Sequence, residues 1–231
     1  MVLVRYILYF LGIALVTALL TQMEIWWPGS LKLHVTHAGD TFGTSEYSPL
    51  EMMQPIILTI CALLYAWVAR YCPSQRPVAF TFGGLALAFF IRELDYFLDR
   101  YVADNFWQVT LAIVAALIIT YVYRHWRRFR IAWLRIWPSP GITLLFAGAC
   151  VHFAFNLFVG HEPLWIAIVG DSYDRIIKLA AEEFIETIGY FLWLIGSIEY
   201  AYQARTIAVR EPQPAVARRR ARRKPKSKGR F

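Results

Sequence analysis

Apolar positions gather into six stretches along the chain, near residues 5–23, 50–69, 78–98, 106–123, 141–159 and 177–200, separated by short segments that hold most of the charge. A run of about 20 apolar residues crosses the ~30 Å hydrocarbon core of a bilayer as a helix. Hydrocarbon offers no partner to backbone N–H and C=O groups, so each must be satisfied within its own segment, and the alternating strands of a barrel are absent. The pattern predicts an all-α fold, a polytopic transmembrane helical bundle with six spans over residues 1–204. A basic, proline-containing tail over 205–231 is expected to stay disordered. Composition agrees. With 58% hydrophobic and 17% charged residues, too little polar surface remains to coat a water-facing globule, which excludes an ordinary soluble domain. Three cysteines without a CxxC pair suggest no disulfide framework.

The basic residues set an orientation. With the N-terminus inside, nineteen of the 24 fall on the cytoplasmic side, from Arg5 through the Arg124–Arg135 segment to the tail. Only Lys32, Arg100, Arg175 and Lys178 fall outside, and Arg92 lies within the third span. Cytoplasmic loops hold the excess of Lys and Arg, so both termini are expected in the cytoplasm. The net charge of +8 conceals an acidic outer face and therefore does not imply nucleic-acid binding. Compact form and short loops suggest a bacterial inner membrane.

Polar groups interrupt three spans at one depth. At about 1.5 Å per residue, Glu93 falls roughly 9 Å below the outer edge of the core, Glu182, Glu183 and Glu186 roughly 8–14 Å, and His152 and Asn156 roughly 13 and 7 Å. Small residues continue into these groups at helical spacing: Gly84, Ala88, Arg92, Asp95 and Asp99; Gly141, Leu145, Gly148, His152 and Asn156; Glu182, Glu186, Gly189, Trp193 and Gly196. Small faces are where membrane helices approach, so the attached polar groups are expected to face the bundle interior. One arginine cannot neutralise all the acids. The others must be protonated, wetted by a vestibule or held around a cation.

The expected site is thus an outward-facing carboxylate/His/Arg pocket. Glu93, His152, Glu182 and Glu186 are its candidate proton carriers or ligands to a divalent cation, Arg92 is its counter-charge, and Asp95, Asn156 and Glu183 complete it. Cation or proton handling is the favoured reading, with metal-assisted intramembrane hydrolysis and a non-catalytic assembly or scaffold subunit as alternatives. In a second grouping, His34, His37, Asp40 and Glu46 could bind metal, although Gly39-Asp40 and Gly43 read more readily as turns and no cysteine supports the site.

Glu182-Glu183 and His152-Phe-Ala-Phe-Asn156 resemble two motif elements of the intramembrane proteases related to the prenyl-protein endopeptidases, Glu-Glu-x-x-x-Arg and His-x-x-x-Asn/Asp. Thr187 stands at the arginine position, a second motif histidine is absent and the order is reversed. The resemblance covers about ten residues and implies only glutamate- or metal-assisted hydrolysis.

On the cytoplasmic side, Arg124, Arg127, Arg128 and Arg130 alternate with aromatics before Pro138. This suits a helix lying in the interface, rings among acyl chains and arginines at anionic headgroups. The bilayer and its anionic lipids are the expected partners, with a protein partner also open. Aromatics are missing from the basic tail until Phe231, so specific nucleic-acid binding is not expected.

Overall fold

The computed structural model describes residues 2–31, 49–173 and 175–211, and among them every regular element is helical. The long helices are α1 (Val2–Trp26), α2 (Pro49–Tyr71), α3 (Arg76–Glu93), α5 (Phe106–Arg124), α7 (Pro140–Cys150) and α10 (Arg175–Arg210). Shorter pieces join them: α4 (Asp95–Tyr101), α6 (Trp126–Ile136), α8 (Asn156–Val159) and α9 (Glu162–Val169). Among the described residues four helices are long and apolar enough to cross a membrane: α1, α2, α5 and the rod formed by α7 with α8. The count is five if the bent pair α3–α4 is one span. α10, with four glutamates, is not among them. α1 and α5 turn Leu8, Phe10, Leu15, Ile113, Leu117 and Ile119 outwards, a surface suited to lipid.

Helices α2, α3, α7 and α10 make the core. Tyr65, Phe82 and Tyr200 form an aromatic triangle with centroids 5.6–5.8 Å apart, and the Tyr65 hydroxyl lies 2.6 Å from Ser197 Oγ. The small-residue stripes of α7 and α10 meet each other. A Cβ on Gly141 would stand 2.7 Å from the Tyr200 backbone nitrogen and 3.0 Å from the Gly196 carbonyl, so the two backbones approach as only glycine permits. The stripe on α3 divides. Gly84 abuts Ile118 of α5, whereas Arg92 reaches α10.

Three boundaries differ from expectation. The span expected straight over 78–98 bends by 60° after Glu93. Leu94 leaves helical geometry (φ −102°, ψ 14°), and Asp95 Oδ1 takes the Tyr96 N–H at 2.6 Å, satisfying one donor that a restarting helix leaves free. Asp95 and Asp99 therefore leave the line of Gly84, Ala88 and Arg92. In the fifth stretch, Val151–Phe155 form a π turn between α7 and α8. The last helix extends to Arg210, 36 residues or about 54 Å, so residues 205–210, expected in the tail, are helical. The remainder of that tail and the His34, His37, Asp40 and Glu46 grouping lie outside the described residues.

At the Arg210 end of the bundle, α6 buries Ala132 and Ile136 and exposes Arg127, Arg128 and Arg130. Trp126, Phe129, Trp133 and Trp137 stack along it at 5.7–6.1 Å. At the same end α1 meets α10 through one polar clamp. Arg5 donates to both Glu199 oxygens at 2.8 and 3.0 Å, Tyr9 donates to Oε1 at 2.9 Å, and the guanidinium sits 4.1 Å above the Tyr202 ring.

Candidate functional site

At the opposite end α3, α10 and the last turn of the α7–α8 rod converge. Arg92 is one residue from the end of α3, so its guanidinium reaches both its chain neighbour and α10. Nη1 donates to Glu93 Oε1 at 2.7 Å and Nη2 to Glu186 Oε1 at 3.0 Å. The same Glu186 oxygen accepts from Asn156 Nδ2 at 2.6 Å, and Glu93 Oε1 accepts from the Tyr190 hydroxyl at 2.5 Å. Charge-assisted bonds of this kind are short and strong. They tie α3, α8 and α10 together through one carboxylate oxygen, Glu186 Oε1.

Beside this network lies a cavity of about 150 Å³ between α2, the α3–α4 bend and α10. Five carboxyl groups line it, from Glu51, Glu93, Asp95, Glu183 and Glu186, and Arg92 is the basic residue among the lining. Glu51 of α2 and Glu183 of α10 face this cavity together. Gln54, three residues after Glu51 and so on the same face of α2, also lines the cavity. It is 1% exposed. Its Nε2 donates to Thr187 Oγ1 at 3.5 Å, and its Oε1 has no partner among the described residues.

Of the residues expected at the site, Arg92, Glu93, Asn156 and Glu186 are in direct contact, and Asp95 and Glu183 share their cavity. Two stand apart. Glu182 lies against Gly160 and pairs with Lys178 at 3.4 Å, one turn earlier on α10. His152 is buried among the rings of Phe89, Phe153 and Tyr190, centroids 5.0–5.4 Å away. Its Nδ1 has no partner among the described residues. No group of three or more His, Cys, Asp or Glu among the described residues could hold a metal ion. The set Glu93, His152, Glu182 and Glu186 thus does not gather as ligands.

Glu51, Gln54 and Tyr190 join a site that sequence reasoning built without them. A signal existed for each. Glu51 and Gln54 are an i, i+3 polar pair at the start of an apolar run, and Tyr190 follows Glu186 by four residues.

A larger recess of about 820 Å³ lies at the other end, where α5 breaks into α6. It is lined by Tyr123, Arg124, His125, Trp126, Arg127 and Arg128. It is wide and shallow, and the convergent chemistry sits in the smaller cavity.

Comparison with known proteins finds no matching family model, no matching curated protein and no matching solved structure.

Proposed function

We propose that the chain is a six-span membrane protein with both termini in the cytoplasm, and that its pocket of acids, opening just below the outer surface, takes up and releases protons or cations. The six spans are α1, α2, the bent α3–α4 pair, α5, the α7–α8 rod and α10. The distribution of Lys and Arg supports the orientation, and a bacterial inner membrane suits the small loops. The observation that carries the functional reading is the cavity itself, where five carboxyl groups surround one arginine already engaged by two of them. Acids enclosed within a membrane bundle are costly unless they exchange protons or hold cations, and such groups mark relays and ion sites. Exposed Arg124, Arg127, Arg128 and Arg130 are read as contacts for anionic lipid headgroups.

Proton release on cation addition tests the reading in the purified full chain, lightly buffered in nanodiscs. The wild type is expected to release protons when salt cations are added. Glu183→Gln and Glu186→Gln should each remove most of that release, and Glu182→Gln, a change outside the cavity, should preserve it. Silence from the folded wild type would refute the proposal.

An assembly subunit is the second reading, favoured by α1, which is exposed along its length and clamped to α10 at Arg5 and Tyr9. It predicts that a partner co-purifies and that Glu199→Gln releases that partner while leaving cation-linked proton release intact. Metal-assisted hydrolysis has less support, since the candidate ligands stand apart.

A further inference from the structure

We propose that the guest of the carboxylate cavity is a small primary ammonium ion, its N–H groups donated to Gln54 Oε1 and to the surrounding carboxyl oxygens. The proposal rests on the cation-handling reading and adds the chemical class of the cation.

Gln54 points to it independently of the acids. Buried polar atoms nearly always have partners, yet this side chain, 1% exposed, presents an acceptor that no described residue fills. An acceptor of that kind asks for a donor. The charged groups around it offer none, because Arg92 is turned to Glu93 and Glu186 and the others are carboxyls. A cationic guest bearing N–H bonds satisfies both the charge and the missing donor, with bonds of the charge-assisted type.

Size and lining narrow the class. A cavity near 150 Å³ holds a guest of about six heavy atoms, which is more than a bare ion fills. No group of three His, Cys, Asp or Glu among the described residues is disposed to grip a metal directly. Met52, Pro55, Leu94 and Phe97 add an apolar side to the lining. Carboxyl oxygens on one wall and hydrocarbon on another match an ammonium head with a short alkyl body, and the Phe97 ring adds a face of the kind that attracts cations.

The test is calorimetric titration of the full chain in nanodiscs at constant ionic strength. The probes are ethylammonium, tetramethylammonium, potassium and magnesium chlorides. Ethylammonium is expected to bind about tenfold or more tighter than the other three, since only it offers N–H donors on a small cation. Gln54→Met should weaken ethylammonium about tenfold, the loss of one hydrogen bond to a charged group. Gln54→Glu should bind at least as tightly as the wild type. Equal binding of potassium, magnesium or tetramethylammonium overturns the ammonium proposal and leaves the cation reading standing. Binding of none of the four overturns both. Gln54→Met binding ethylammonium like the wild type also overturns the proposal. If the Gln54 variants do not fold, the ion series on the wild type decides the matter alone.

Discussion

Arg92→Met lowers the unfolding free energy of the full chain by about 2–3 kcal/mol. Removing one member of a fully buried ion pair costs about 3–5 kcal/mol because the other charge is stranded. The Arg92 side chain is 40% exposed, so water screens part of the loss. Two carboxylates are stranded together. Glu93 keeps the Tyr190 hydroxyl and Glu186 keeps the Asn156 amide, neither of which carries charge. Arg92→Lys recovers only part of the loss, since a single ammonium lacks the planar fork that serves two acids at once. Glu186→Gln in the Arg92→Met background recovers about 1 kcal/mol or more, because the amide needs no counter-charge; partners in one network couple by about 0.5–3 kcal/mol. Denaturant unfolding in nanodiscs measures the wild type, Arg92→Met, Arg92→Lys, Glu186→Gln and the double change. Strictly additive single and double changes would show that Arg92 and Glu186 do not act together.

Gly141→Ala destabilises by about 2 kcal/mol and Gly141→Val by more. The atoms that a Cβ would meet belong to the backbone of α10, at Tyr200 and Gly196, so no side-chain rotation relieves the overlap and the helices must separate. The intrinsic helix preference of alanine over glycine, about 1 kcal/mol or less, works in the opposite direction and is outweighed. Gly12→Ala on α1 isolates that preference, because nothing lies within 4 Å of its added methyl; it is expected to leave stability unchanged or raise it slightly. The same unfolding measurement reads both. Equal effects at positions 12 and 141 would mean that α7 and α10 do not touch there.

Much of this fold was legible because hydrocarbon imposes length and composition on a helix. The stretches expected at 50–69, 106–123 and 141–159 end within two residues of α2, α5 and the α7–α8 rod. Depth counting is informative for the same reason: Glu93, Glu186 and Asn156 count to one layer, and Glu186 Oε1 accepts from both Asn156 and Arg92, the residue before Glu93. Azimuth was harder to read. Glu182 and Glu186 are one turn apart on one helix, yet only Glu186 meets Arg92, because Glu182 turns to Lys178. The bend at Leu94 left no mark in the apolar pattern, since leucine suits straight and broken helices alike. Arg5 and Glu199 are separated by 194 positions, and a lone charge near each end of a span reads as interfacial until the partner is seen.

The π turn at Val151–Phe155 sets where Asn156 faces. Eight residues separate Asn156 from Gly148, and in an unbroken α-helix that interval turns the later residue about 80° past the earlier one. A π turn accommodates one additional residue in the same rotation, which brings Asn156 back by about 100°, nearly beneath Gly148. The rod therefore addresses α10 with a single edge, glycine against glycine at one level and amide against carboxylate at the next. Deleting one position from the wide turn therefore restores an α-helix in which seven residues bring the amide to the same edge, and shortens the rod by only about 1.5 Å.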